Sequence, residues 1–270
     1  MADASPKIAN LLFELGTEEL PPTALKRLMQ AFEKGFLEGL DNAGLSHGNC
    51  RAFATPRRLA LLIVDVQLAQ EDRLVERRGP AVKAAFDADG NPTKAALGFA
   101  GSCGTTVDQL ERIETDKGEW LQYRFEEQGK PAAELLPEIA MQALNGLPIP
   151  KRMRWGDSDA EFVRPVHWLI VMHGEQVVQG HLLGLNAANL TRGHRIHSPG
   201  PHAVPAAGQY PRVLEDAFVV VDHEKRKNRI SDMLKETDDR VLIDPALLAE
   251  VNNMVEWPVP VACSFEKAFL

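Results

Sequence analysis

The sequence predicts an α+β protein in which helices flank a mixed or antiparallel sheet. Its predicted strands and helices follow one another without the strict βαβ alternation of a parallel sheet. Residues 166–173 and 176–182 show the pattern of a β-hairpin with a two-residue turn. From residue 205 the chain changes to acidic helical patterns. We therefore predict an α+β module over residues 1–204 and an acidic helical segment over residues 205–270 that leads into the remainder of a longer protein.

A buried strand and an amphipathic helix are predicted at the start of the chain. Residues 8–15 are mostly apolar, as in a strand covered on both faces. Pro21 and Pro22 then break the strand and favour a helix that starts just after them. Over residues 23–42 apolar side chains recur at helical spacing, with charged residues on the opposite face.

The remaining elements follow from alternation, turn residues and helical spacing. Strands are predicted at residues 51–55, 58–68 and 119–127, with residues 73–78 extending the sheet of residues 58–68. Helices are predicted at residues 93–100, 107–111, 132–144, 206–217, 222–235 and 245–255, and a polar loop at residues 191–201. Pro137 lies inside one of these helices and indicates a kink or a later start.

Composition places the chain among ordinary globular proteins. It has 270 residues, of which 44% are hydrophobic and 25% charged. Three widely separated cysteines cannot form a disulfide framework, which favours a reducing compartment. The apolar runs are too short to span a bilayer, and the first residues lack the pattern of a signal peptide. We therefore expect a cytoplasmic protein.

Positive charge is gathered into two stretches of an acidic chain. The net charge is −8, yet residues 51–80 and 151–202 each hold six Lys and Arg against four Asp and Glu. Guanidinium groups bind phosphates through paired hydrogen bonds, and an aromatic ring can stack on an unpaired base. The candidate RNA-binding residues all lie beside or near glycine or proline turns: Arg57, Arg58, Arg77, Arg78, Lys151, Arg152, Arg154, Trp155, Arg192 and Arg195.

Patterns that would indicate a catalytic or metal site are weak. The chain has no glycine-rich dinucleotide loop, phosphate-binding loop, nucleophile elbow or zinc-protease helix motif. Arg124-Phe125-Glu126 matches only a three-residue core of an ATP-binding motif. Six of the eight histidines lie between residues 167 and 202, where a metal site is the alternative to structural roles. No cysteine accompanies them and the carboxylates lack ligand spacing, so we predict no catalytic residue and no metal ligand.

Six motifs resemble, in order, the β subunit of bacterial glycyl-tRNA synthetase. They are FELGTEELPP at 13–22, FATPRRLA at 53–60, RRGP at 77–80, KRMRWG at 151–156, FVRPVHW at 162–168 and TRGHR at 191–195. The resemblance covers essentially the whole chain, as the N-terminal part of such a subunit. It implies a heterotetramer of two α and two β subunits that joins glycine to tRNA(Gly), with ATP and magnesium at the α subunit and none in this part. It also implies a fold similar to the editing-type module of phenylalanyl-tRNA synthetase β subunits.

Three roles remain open for this part of the subunit. The first is noncatalytic binding and positioning of tRNA, with assembly of the enzyme. The second is a protein-interaction module that docks on the α subunit, its arginines paired with carboxylates there. The third is an editing hydrolase for mischarged tRNA, for which Thr17, Glu18 and Glu19 are the candidate acid–base residues. Glycine is the smallest amino acid, so a tight pocket excludes its competitors without a second sieve, which favours the first role.

Overall fold

The computed structural model describes residues 8–116, 118–238 and 240–263. The chain separates into two units, of which the first combines Met1–Ala69 with Lys130–Leu270 and the second is the inserted stretch Gln70–Gly129. Residues 264–270, the end of the predicted acidic helical segment, lie outside the described part.

A five-stranded antiparallel sheet forms the centre of the first unit. In spatial order its strands are β10 (Gln176–Val177), β9 (Val166–His173), β1 (Ile8–Thr17), β3 (Arg58–Gln67) and β2 (Cys50–Thr55). The last seven residues of β1 are all buried. Side chains alternate between the two faces of a strand, so β1 is mostly apolar because both of its faces are covered.

Two helices cover one face of this sheet. They are α1 (Leu25–Asn42) and α4 (Ala132–Asn145), and α4 continues through Pro137. The rings of Phe13 on β1 and of Phe32 and Phe36 on α1 meet with centroids 5.1–5.9 Å apart. This aromatic contact joins the predicted first strand to the predicted first helix, and it explains the helical spacing of apolar residues in α1.

The opposite face is covered by residues that follow position 204. Leu12 and Ile170 of the sheet share a core with Tyr210 of α5 (Tyr210–Asp216) and with Val219. The helices α6 (His223–Thr237) and α7 (Pro245–Asn252) come next, capped by Asp222 and Asp244. The start of the predicted acidic segment therefore packs in the same unit as β1, because its apolar residues complete the second face of the sheet.

Short strands occupy the stretch between residues 153 and 203. They form the pairs β7 (Met153–Arg154) with β8 (Glu161–Phe162), β11 (His181–Leu182) with β12 (Leu185–Asn186), and β13 (Leu190–Arg192) with β14 (Pro201–Ala203). The single strand predicted at residues 176–182 is thus wrong, since only its two ends are extended. The predicted polar loop begins inside β13.

The inserted unit has its own three-stranded antiparallel sheet, in the order β4 (Arg73–Ala81), β6 (Gly118–Glu127) and β5 (Glu111–Thr115). The helices α2 (Val82–Ala85) and α3 (Lys94–Ser102) and a 3₁₀ turn at Val107–Gln109 accompany it. The prediction that residues 73–78 extend the sheet of residues 58–68 is wrong. Residues 73–81 form β4, which pairs with β6 in the separate sheet, whereas both sides of β3 are paired with β1 and β2. The helix predicted over residues 107–111 is only the 3₁₀ turn at Val107–Gln109, and β5, which begins at Glu111, was not predicted.

The α+β class with antiparallel sheets is confirmed. Within the described ranges, no helix is long and apolar enough to cross a membrane.

Gly16 is expected to be intolerant of any side chain. A Cβ atom built there would lie 1.9 Å from the indole ring of Trp168. We expect Gly16→Ala to lower the free energy of unfolding in urea by about 1–3 kcal/mol, the usual cost of overpacking a core. Gly146→Ala, whose Cβ would meet its nearest neighbour at 3.5 Å, is the matched control. Equal stability of the two variants would contradict the assigned contact.

Candidate nucleic-acid interface

A buried carboxylate in the central strand organises the polar residues of the first unit. Glu14 lies on β1 on the same face as Leu12, and its side chain is fully buried. Its Oε1 accepts hydrogen bonds from Arg58 Nη1 at 3.0 Å, Thr191 Oγ1 at 2.9 Å and Tyr210 Oη at 3.0 Å. Glu14 therefore joins β1 to β3, β13 and α5.

Arg58 lies between two carboxylates at the start of β3. Its Nη1 is 3.0 Å from Glu14 Oε1, and its Nη2 is 3.0 Å from Glu256 Oε1. Its Nε donates to Thr55 Oγ1 at 3.1 Å, and its side chain is 0% exposed. The prediction that Arg58 contacts RNA is corrected here, because burial leaves its guanidinium no surface for a phosphate. A buried ion pair of this kind needs these additional hydrogen bonds to offset the loss of water.

Arg57 and Arg58 together hold the loop that follows β13. Arg57 Nη2 donates to the carbonyl of Gly193 at 3.0 Å and to Glu256 Oε2 at 2.8 Å, with 12% of its side chain exposed. Arg58 Nη2 donates to the carbonyl of Arg192 at 3.0 Å. We call Glu14, Arg57, Arg58 and Glu256 the buried ion cluster. The motif at 53–60 thus fixes the backbone of the motif at 191–195.

The pKa values of the two carboxylates of the buried ion cluster are shifted in opposite directions. Burial raises the pKa of Glu14, and the attraction of Arg58 and the hydrogen bonds of Thr191 and Tyr210 do not offset it. At Glu256 burial also acts upward, but the charges of Arg58 and Arg57 outweigh it and lower the pKa to about 2.

The exposed cations of this loop lie beside the acidic turn after β1. Arg192 is exposed, and its guanidinium lies 5.7 Å from the centroid of the Trp168 ring. Arg195 forms an exposed ion pair with Glu19 at 2.7 Å. Glu18 pairs with His167 at 2.7 Å. Both candidate acid–base carboxylates are therefore engaged with neighbouring side chains.

The second basic loop of this unit reaches the same turn through Arg164. Arg164 donates to the carbonyl of Glu19 at 3.0 Å and to the sulfur of Met153 at 3.3 Å. Within this loop Arg152 donates to the carbonyl of Asn145 at 2.9 Å, where α4 ends. Arg154 pairs with Asp159 at 2.7 Å, Lys151 is exposed, and Trp155 is half-buried against the core. Trp155 thus presents only part of its ring to a base.

The remaining predicted cations belong to the inserted unit. Arg77 lies 5.4 Å from the centroid of the Phe125 ring, and Arg78 lies 4.0 Å from that of Trp120. Arg124 of the weak ATP motif pairs with Glu76 at 2.8 Å and with Glu111 at 3.5 Å. The RNA-binding role of Arg77 and Arg78 stays a prediction.

Sequence reasoning missed the acidic half of the buried ion cluster. Glu14 carried a usable signal, because a single carboxylate inside an apolar strand requires a buried partner. Glu256, Thr191 and Tyr210 carried none, since their proximity depends on how distant segments pack. The histidines give no metal centre among the residues described, where no three potential ligands cluster.

Removal of Arg58 should destabilise the first unit strongly. We expect Arg58→Met to lower the free energy of unfolding by about 3–5 kcal/mol, because two buried carboxylates lose their main partner. Arg195→Met breaks an exposed pair and should cost only about 0–1 kcal/mol. Urea denaturation of both variants at pH 7 measures the difference. Similar losses in the two would contradict a stabilising role for the buried pair.

Glu256 should make stability depend on acid pH. Its folded pKa of about 2 lies below the ordinary value of 4.5, so its contribution is complete above pH 4.5 and is lost as the pH falls toward 2. The difference corresponds to about 3 kcal/mol. We expect Glu256→Gln to show a shallower loss of unfolding free energy than the unmodified chain between pH 4.5 and 2.5. Parallel curves in urea denaturation would contradict the assignment.

Comparison with known proteins identifies the family. A family model described as glycyl-tRNA synthetase beta subunit matches residues 11–270. The chain is 50% identical over 267 residues to the glycine–tRNA ligase beta subunit of Marinobacter nauticus, covering 97% of the chain and 38% of that protein. It is 48% identical over 266 residues to that of Aliivibrio fischeri strain MJ11, with 97% and 39% covered. The chain therefore spans about two fifths of the length of these relatives, and it belongs to the glycyl-tRNA synthetase β-subunit family.

Proposed function

We propose that this chain binds and positions tRNA as the N-terminal part of a glycine–tRNA ligase β subunit. The observation that carries the proposal is the support of the loop bearing Arg192 and Arg195 by the buried ion cluster. Backbone carbonyls of Arg192 and Gly193 accept hydrogen bonds from Arg58 and Arg57. The cost of ordering this loop is met during folding, so less is lost when a phosphate binds.

The two exposed arginines suit a phosphate track. In the part of the chain that the structure describes, Arg192 forms no ion pair and only lies over the Trp168 ring. The pair of Arg195 with Glu19 is exposed and therefore weak, so a phosphate can replace the carboxylate at small cost. Contacts of this kind position an RNA without reading its sequence. tRNA(Gly) is the substrate that the family membership supports.

The remaining features of the proposal follow from the family. The aminoacylation site, with ATP and magnesium, would lie on the α subunit, and two α subunits would assemble with two β subunits in the cytoplasm. The first unit would be related to the editing-type module of phenylalanyl-tRNA synthetase β subunits. We assign it no hydrolytic step, because Glu18 and Glu19 are paired with His167 and Arg195 and glycine needs no second sieve.

The two alternative roles have direct tests. Hydrolysis of alanyl-tRNA or seryl-tRNA by this chain would establish an editing activity. Docking as the main role would be supported if the chain retains the α subunit in the absence of tRNA and the arginine variants lose that retention without any change in RNA binding.

Removal of the two exposed arginines should weaken tRNA binding uniformly across sequences. For the double variant Arg192→Ala, Arg195→Ala we expect a lower affinity and a salt dependence whose log–log slope is smaller by about two units. Titration of labelled tRNA(Gly) with the chain measures both the affinity and the slope. The salt concentration is varied from about 50 to about 200 mM, the range over which phosphate contacts of this kind weaken.

The control removes two cations from another surface. Arg27 and Lys34 lie on α1, and Arg27→Ala, Lys34→Ala should leave the slope unchanged. The pair Arg152 and Arg154 should have an intermediate effect, because Arg152 already bonds to the end of α4 and Arg154 to Asp159. An unchanged slope in the Arg192, Arg195 variant would refute the proposed contacts.

A further inference from the structure

Four aromatic rings form a continuous series on the first unit, which we call the aromatic ladder. The rings of His194 and His197 stack with centroids 4.6 Å apart. His197 lies 5.5 Å from Phe218, and Phe218 lies 5.3 Å from Trp257. The guanidinium of Arg229 closes the series, 3.8 Å from the centroid of the Trp257 ring. None of these contacts contributes to the buried ion cluster.

The ladder holds a phenylalanine in an unfavourable position. Phe218 has a backbone φ of 60°, in the left-handed region that bulky residues rarely adopt, and its side chain is 39% exposed. Both the conformation and the exposure of an apolar ring cost free energy. The conformation is that of the residue that closes α5, because the amide of Phe218 donates to the carbonyl of Glu215 at 3.1 Å and the amide of Val219 to that of Leu214 at 2.8 Å. The exposure of the ring is not required by this turn, and it leaves the ring available to a ligand.

The backbone around the ladder is fixed by the same segments that hold the basic loop. The amide of His194 donates to the carbonyl of Ala217 at 2.9 Å, next to Phe218. The amide of Val220 donates to the carbonyl of Glu256 at 2.9 Å, next to Trp257. The ladder and the two exposed arginines therefore belong to one preorganised region.

An open groove of about 250 Å³ reaches two of the four rings of the ladder. Its lining includes rings of His194 and Trp257 together with the cations Arg57 and Arg195. The acidic residues that also line it are Glu19 and Glu256, and each is paired with one of these arginines. Burial lowers the pKa of His194, so its ring is neutral at pH 7 and can lie against another ring without a charge penalty.

We propose that the aromatic ladder binds unpaired nucleobases at the single-stranded end of an RNA whose duplex backbone is held by Arg192 and Arg195. The inference rests on the proposed function and names the part of the RNA that this region recognises. Every base has an aromatic face, so stacking on Phe218 and His197 is tolerant of sequence. Arg195 lines the groove in an exposed pair with Glu19 and can meet a phosphate that joins these bases, which favours RNA over an apolar peptide as the ligand.

Three RNA ligands separate the contribution of the aromatic ladder from that of Arg192 and Arg195. They are a labelled hairpin with a blunt end, the same hairpin with four unpaired 3′ nucleotides, and the free tetranucleotide. The chain should bind the overhanging hairpin about tenfold more tightly than the blunt one, as stacking of one or two bases provides. Phe218→Leu and His197→Gln should each remove most of this gain and leave blunt-hairpin binding unchanged. Both should also weaken tetranucleotide binding.

Phe125→Leu is the matched control. Phe125 stacks on Tyr123 at 5.6 Å beside Arg77, so it reproduces the ring pair and the cation in the inserted unit. This variant should keep the full gain from the overhang. Thermal unfolding of all variants confirms that the folded state is retained.

The outcomes distinguish this inference from the proposed function. If Phe218→Leu and His197→Gln leave both the overhang gain and tetranucleotide binding unchanged, the ladder is not a base-binding site. A gain that disappears in Phe125→Leu instead also overturns the inference. If the blunt hairpin does not bind but the tetranucleotide binds in a Phe218-dependent manner, the ladder stands and the proposed contacts of Arg192 and Arg195 fail.

Discussion

The burial of Arg58 between two carboxylates is the constraint on which the first unit depends. Glu14 comes from the central strand and Glu256 from the segment after α7, so a single guanidinium joins residues 242 positions apart in the chain. Without that cation, Glu14 would be buried with no opposite charge in contact, and Glu256 would keep only Arg57, which would strongly destabilise the fold. Arg57 brings the buried ion cluster to two positive and two negative groups. The position of the acidic C-terminal segment is therefore set by electrostatics as well as by the apolar core.

This arrangement changes how the arginine pair in the motif at 53–60 is understood. Two adjacent arginines beside a proline turn have the composition of a phosphate site, yet both are directed inward. Their donors satisfy backbone carbonyls of Arg192 and Gly193, and they thereby shape a loop whose own arginines are exposed. In this protein Arg57 and Arg58 support the loop, whereas Arg192 and Arg195 are exposed on it and available to a ligand. Composition does not distinguish the two functions, because it contains no information on burial.

Elements with strong local patterns were predictable from the sequence, whereas features that depend on distant contacts were not. The strand β1, the helix α1 and the strands β3 and β9 follow from apolar runs and helical spacing. The separate sheet of the inserted unit was missed because strand pairing is not local, and β4 looked like a continuation of β3. Among the candidate site residues, the exposed arginines could be named from the sequence by residue type. Glu256 was not found, since nothing near it in the sequence indicates the charges that it meets.

The net charge of the chain is −8, and this determines why the preorganised loop that carries Arg192 and Arg195 matters for the proposed RNA binding. An acidic protein repels the phosphates of an approaching RNA at long range, and this repulsion is reduced by salt. The RNA binding that we propose would therefore come from close contacts in which a few cations and rings are already in place. Arg192, Arg195 and the aromatic ladder meet this requirement because their backbone is held by the folded core. Electrostatic steering by the whole molecule contributes little, so complementarity at this one region would account for recognition of the polyanion.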